Sequence, residues 1–361
     1  MKKHLLITVV LLMSFSFAHG QSKYSNEFLS LGIGARGLAM GNTMCAISDD
    51  VTAAYWNPAG LGRMDKKYQL SLMHAEYFAG VAKYDYAGLG YKIDDRSSVA
   101  LSYIRFGVDN IMNTTELIDA QGNVDYDRIS YFSASDNAFL LSYAYNFEKV
   151  PGLSLGANAK IIYRNIGKFA NAWGFGLDFG LQYNHKGWQA GAMLRDGTST
   201  FNAWNYHLTD QVIDIFHQTG NEIPENELEL TLPALMLGAG KYVELGKGFN
   251  ATFALGLDCT FDGKRNTLIK SNVLSMDPHF GMEFAYKKIV ALRAGIGNFQ
   301  QEPDFDGKKK TTLQINLGVG VCIKNIVSID YAFTDLGDIS IAQYSHIISL
   351  KVAIDRFKKQ Q

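Results

Sequence analysis

The stretch Trp173-Gly174-Phe175-Gly176-Leu177-Asp178-Phe179-Gly180-Leu181-Gln182-Tyr183 decides the fold. Every odd position is large and apolar, and every even one is glycine or polar. Side chains on a strand point to opposite faces with period two, so this segment has one greasy face and one small, polar face. The same alternation returns at 153–163, 253–257, 313–321 and 327–333. The composition agrees: 47% of the 361 residues are apolar and 19% charged, with 35 glycines and only 6 prolines. That balance excludes a disordered chain. The sequence has no Gly-X-Y period or apolar heptads, and a formal charge of −1 offers no basic field for nucleic acid. Cys45, Cys259 and Cys322 are too few and scattered for a disulfide scaffold.

The amino terminus reads as an export leader. Lys2 and Lys3 precede an apolar core at 5–17, and Ala18-His19-Gly20 offers small residues at a cleavage point, so residues 1–20 are expected to be a signal peptide. The core is shorter than the roughly 20 residues a spanning helix needs, and no later apolar run approaches that length.

Alternating strands fit a soluble sandwich with its greasy face inward, or a membrane barrel with that face outward. The segments reach about ten residues, longer than the roughly six typical of soluble strands. Aromatic residues gather at segment ends (Tyr143, Tyr145, Tyr183, Tyr286, Tyr331), where interface girdles belong. Tight turns such as Asp94-Asp95, His185-Lys186 and Lys324-Asn325 alternate with longer loops, 108–136 and 196–228 above all. These features predict an all-β, transmembrane antiparallel barrel of about 14 strands over 68–357, in outer-membrane lipid, with short turns on the periplasmic side. Leu177, Leu257, Leu317 and Ile329 are predicted to face lipid. Lys160, Arg164, Asp178, Asp258, Glu283, Arg293, Asn316, Asp330 and Lys351 are predicted to face a polar lumen.

Residues 21–67 lack the alternation and are dominated by small side chains, which suits a hatch folded into the lumen. This segment carries Gly34-Ala35-Arg36, Met40-Gly41, Asp49-Asp50 and Tyr55-Trp56-Asn57-Pro58-Ala59-Gly60-Leu61. In that combination it resembles the amino-terminal signature of the PorV/PorQ family, part of the larger FadL-like group of outer-membrane proteins. The resemblance implies a fourteen-stranded barrel and a non-enzymatic role in the type IX secretion system, with a translocon, sortase or cargo protein as partner. The alternative it implies is a FadL-like transporter that moves hydrophobic molecules, with a ligand or detergent in the lumen and a lateral opening. The hatch residues it singles out are Gly34, Arg36, Gly41, Asp49, Asp50, Asn57 and Pro58. Tyr131, Phe132, Trp204, Tyr206 and Phe216, in the two long loops, are the candidate docking anchors.

No catalytic, metal or cofactor site is expected. Gly32-Ile33-Gly34-Ala35-Arg36-Gly37 matches the dinucleotide fingerprint but lacks the βαβ context, and close backbone packing is the better account of its glycines. Gly152-Leu153-Ser154-Leu155-Gly156 matches a nucleophile elbow, yet it lies at the start of an alternating strand. The eight histidines show no zinc spacing, and the acidic stretches 119–127 and 304–307 do not complete a calcium loop. Asp49 and Asp50 are expected to cap a short helix at 51–56 or to pair with Arg36 or a lumen arginine.

Overall fold

The computed structural model describes residues 25–118, 122–303, 309–336 and 344–355. The leader at 1–20 and the acidic turn at 304–307 lie outside them. Fourteen antiparallel strands form one closed ladder. They are β1 (Tyr68–Tyr77), β2 (Ala82–Lys92), β3 (Ser97–Asn113), β4 (Ser130–Asn146), β5 (Leu153–Ile166), β6 (Ala170–His185), β7 (Trp188–Arg195, resuming as Thr200–Tyr206), β8 (Leu228–Thr231, resuming as Ala234–Gly246), β9 (Phe249–Thr260), β10 (Ser275–Tyr286), β11 (Val290–Pro303), β12 (Lys309–Ile323), β13 (Val327–Leu336) and β14 (Ser345–Ile354). Each pairs with the next, and β14 closes on β1 with Tyr68 opposite Ile354. Closure leaves no strand edge unpaired, the condition for placing strands in hydrocarbon.

The faces follow the predicted alternation. Leu317 and Ile329 are 46% and 48% exposed on the outside, while Asn316 and Asp330 are 6% and 9% exposed within. Aromatic rings band the outer surface near the tight turns, with Tyr143, Tyr183, Trp188, Phe249 and Tyr286 exposed. The two-residue turns Lys186-Gly187 and Lys247-Gly248 have positive φ at both positions, the primed geometry whose twist matches paired strands.

The loop-side strands run further than the sequence suggests. Asn113 pairs with Ser130, so the expected loop 108–136 shrinks to 114–129. A strand of 17 residues spans roughly 55 Å, well beyond a hydrocarbon core of about 30 Å. A bulge between Val108 and Ile111 and the small and polar residues at 133–137 break the alternation there, which hides the strand from a lipid-period reading. The expected loop 196–228 likewise holds the outer half of β7 and a helix at Asp210–Thr219, capped by the Thr209 hydroxyl.

Residues 25–67 fill the middle of the lumen, with short helices α1 (Ala35–Ala39) and α2 (Ala53–Trp56) and a 3-10 turn at Pro58–Arg63. Inward glycines form their seat. A Cβ on Gly156 would strike the Pro58–Ala59 backbone, on Gly191 the Cys45 carbonyl, on Gly281 the Met40 carbonyl, and on Gly295 the Gly41 amide. Backbone meets backbone at these places, so the small face of the alternation is a socket for the hatch.

Two outcomes test this architecture. Arg at Leu317 or Ile329 should cost about 2–4 kcal/mol near the bilayer midplane, and Arg at the cavity-facing Asp258 less. Urea unfolding in liposomes reads the difference, and equal costs would mean a register slipped by one residue. Gly156→Val should unseat the hatch while the barrel survives. Limited proteolysis should then cut within 25–67, with the heat-dependent gel shift of a folded barrel retained.

Candidate functional site: a hatched lumen with an outer cavity

Hydrogen bonds and ion pairs weld the hatch to the wall. Asn57, fully buried, donates to the carbonyls of Cys45 (2.9 Å) and Leu181 (3.0 Å) and accepts from the Ala59 amide (3.2 Å). Pro58 opens the 3-10 turn that this amide begins. The Ala35 amide reaches the Ser349 hydroxyl at 2.7 Å. Tyr55 donates to the Leu29 carbonyl at 2.6 Å, and Trp56 to that of Ile33 at 3.2 Å. Gly34 and Gly41 both have positive φ, turning the chain into and out of α1.

The two acidic hatch residues have separate partners. Arg36 holds Asp49 at 3.0 Å and Glu283 of β10 at 3.1 Å, and Glu283 also binds Arg293, which binds Asp330, both at 2.6 Å. Asp50 pairs with Lys351 of β14 at 2.7 Å and accepts from the Thr52 amide at 3.0 Å. Burial opposes charge on Asp50, but Lys351 and the Thr52 hydroxyl outweigh it and hold the carboxyl well below the usual range. Pairing is the outcome for both residues. The helix expected at 51–56 spans only Ala53–Trp56, and neither carboxylate is its cap. Cys45 is chemically quiet: burial, reinforced by the Asp258 carboxylate, pushes its thiol up to about 12. Ser154 donates to Asn146 at 2.7 Å.

The hatch divides the lumen in two. On the tight-turn side lies a cavity of about 580 Å³ around Arg36, Arg63, Glu283, Arg293 and Lys351. On the loop side lies one of about 600 Å³, floored by Leu29, Leu31, Leu38 and Asn42 of the hatch. The outer cavity also reaches the wall at Arg195, Asp196 and 231–234. There the ladder breaks. Residues 196–199 interrupt β7 opposite Leu232-Pro233, which interrupts β8. Asp196 and Ser199 have positive φ, and Pro233 has no N–H for the ladder. Behind the break Lys160, 1% exposed, binds Asp178 at 3.0 Å and Asp196 at 2.5 Å. A buried lysine held by two carboxylates fixes the shape of the break, because removing the lysine would leave two buried carboxylates uncompensated.

The candidate docking anchors are dispersed. Tyr131 is exposed on the outer part of β4, and its neighbour Phe132 packs edge-on against Phe169 at 5.2 Å. Trp204 donates to Glu229 at 2.7 Å under the Arg164 guanidinium and stacks on Tyr206. Phe216 lies half-buried on the helix at Asp210–Thr219. Sequence reasoning placed Asp178 and Asp258 in the lumen but passed over Asp196, Asp277 and His279. The spacing of Asp277 and His279 puts them on one strand face, the only signal available; their approach to Asp258 depends on the β9–β10 register.

No family model and no curated protein matches the sequence. Solved structures do. The CymD monoaromatic hydrocarbon channel superposes with a TM-score of 0.56 at 13% identity, covering 90% of this chain and 98% of that one. The Pseudomonas putida toluene transporter TodX gives 0.54 at 13%, covering 89% and 97%. The Ralstonia pickettii toluene transporter TbuX gives 0.53 at 14%, covering 90% and 98%. The fold is the one that these hydrocarbon and toluene transporters share. At these identities the likeness is one of fold, and the PorV/PorQ signature has no sequence match behind it.

The Asp50–Lys351 tie predicts a pH response. A carboxyl depressed on folding stabilises the folded state above its unfolded value of about 3.9, and that contribution is lost as pH falls through the folded value. The tie should therefore be complete at pH 7 and 5 and weaken only below about pH 4. Lys351→Met should cost about 3–5 kcal/mol at pH 7, and its gap from wild type should narrow below pH 4, read as urea midpoints across pH.

Proposed function

We propose that this chain is a non-enzymatic conduit for a small, largely apolar molecule across the outer membrane. The observation that carries this reading is the continuity of the outer cavity, from the hatch floor to the broken ladder beside Asp196 and Pro233. A molecule entering from the loop side can rest above the hatch, next to a wall where two strands do not exchange backbone hydrogen bonds. About 600 Å³ suits a small organic ligand. The hydrocarbon and toluene transporters that share the fold support the same class of role.

The secretion-docking reading rests on the hatch motifs and on the aromatic residues of the two long loops. Its candidate anchors Phe132, Trp204 and Tyr206 are engaged with other residues of the rim, which leaves less free aromatic surface for a partner.

Uptake of labelled toluene by cells expressing the full chain tests the conduit. Uptake should exceed that of cells lacking it, and Ala234→Trp, which places a bulky ring in the outer cavity, should reduce the excess about tenfold with the barrel still folded. Uptake independent of the protein would overturn the reading. Co-purified secretion components together with lost cargo secretion on deletion would put the docking role in its place.

A further inference from the structure

The outer cavity carries a charge pattern that a hydrocarbon does not require. Six carboxylates line it (Glu27, Asp196, Asp258, Asp262, Asp277 and Asp335) against the two guanidinium groups of Arg195 and Arg265. Those cations and the nearby ammonium already have partners. Arg265 clamps Asp262 and Glu27, at 2.5 and 2.9 Å. Arg195 donates to the Leu29 carbonyl at 3.1 Å and lies over the Tyr55 ring. Lys160 is held by Asp178 and Asp196. Among the described residues Asp258, Asp277 and Asp335 form no ion pair with any lysine or arginine.

Asp258 and Asp277 sit opposite each other on β9 and β10, with His279 two residues further along the same face. His279 is 7% exposed, and its Nε2 lies 3.4 Å from Asp258 and 3.7 Å from Asp277, an ion pair with both when the ring is protonated but not an aligned hydrogen bond to either. Asp277 Oδ1 is also buried without a hydrogen-bond partner. Buried polar atoms are normally hydrogen-bonded, so a cluster with one donor-acceptor ring atom and one carboxylate oxygen unmatched, opening on a cavity, is shaped for a ligand that supplies the missing partners. No three acidic, histidine or cysteine side chains among the described residues converge as a metal site. An organic donor beside the two carboxylates would supply those partners. Across the cavity Leu31, Leu38, Tyr77, Phe78 and Phe261 offer apolar and aromatic surface. Aromatic faces attract cations as well as apolar groups.

We propose that the outer cavity selects small organic cations, an ammonium on an aromatic or short alkyl body, with Asp258 and Asp277 receiving the ammonium. A protonated amine brings N–H donors to both carboxylates while its body lies on the hatch and rim side chains. A carboxylate of the same shape meets the excess of six carboxylates over Arg195, Arg265 and His279, a net negative field that low-dielectric walls strengthen. This assignment rests on the conduit reading and narrows its ligand.

Calorimetric titration of the full chain in non-ionic detergent tests it, with 2-phenylethylamine, 3-phenylpropionate and propylbenzene as matched probes. The amine should bind at least about tenfold tighter than either of the others, the scale of one net charge-assisted hydrogen bond. The preference should shrink as salt rises from about 0.05 to about 0.5 M, which shortens the screening length from roughly 14 to roughly 4 Å. Asp258→Asn with Asp277→Asn should erase the preference, and Asp258→Asn alone should halve it or more should the double variant not fold. Equal or weaker binding of the amine, no binding of any probe, or a preference unchanged in the variant would overturn the assignment. Cellular uptake separates the two claims. Amine preference in the purified chain with protein-independent uptake removes the conduit alone; protein-dependent toluene uptake without amine preference removes the charge assignment alone.

Discussion

A strand inside hydrocarbon can satisfy its N–H and C=O groups only through neighbouring strands, and everything else in this molecule depends on that constraint. Fourteen strands meet it by closing β14 onto β1. Closure turns the period-two alternation into two surfaces, one for lipid and one for the lumen. It also leaves a lumen that must be filled. Here a segment of the chain's own amino-terminal part fills it.

The filling is made by backbone contact as much as by side chains. Inward glycines on β5, β7, β10 and β11 let hatch carbonyls and amides approach the wall. Asn57, Arg36 and Asp50 then tie the hatch to carbonyls, to Glu283 and to Lys351. Each tie joins charged or polar groups that burial would otherwise penalise, so losing one partner costs more than the contact itself contributes. The hatch is therefore a structural floor with defined fastenings on each side.

Above that floor the wall departs from regularity. The interruptions at 196–199 and 232–233 remove ladder hydrogen bonds from one stave of the barrel, and Lys160 with its two aspartates braces the gap from inside. The cavity beside it combines a largely apolar floor with carboxylates, Asp258 and Asp277, that pair with His279 and, among the described residues, with no lysine or arginine. The proposed preference for a ligand with an apolar body and a positive end rests on that combination.

The sequence by itself determined the barrel, the strand number and which residues face inward, because alternation and turn spacing are local properties of a chain. It also marked a hatch, by the sudden loss of alternation in the amino-terminal segment, and left the Asp49 and Asp50 carboxylates open between capping a short helix and pairing with arginine. Only the tertiary structure decided their partners, since Asp50 and Lys351 are separated by nearly the whole chain and meet only when the ladder closes. The same holds for the small face of each strand: Gly156 and Gly295 read as mere alternation until the hatch backbone is laid against them. The Asp258–Asp277–His279 cluster needed the β9–β10 register, and the broken stave needed two interruptions, 196–199 and 232–233, to fall side by side. Strand extensions beyond the membrane stayed hidden as well, because outside hydrocarbon nothing forces one face to stay uniformly greasy.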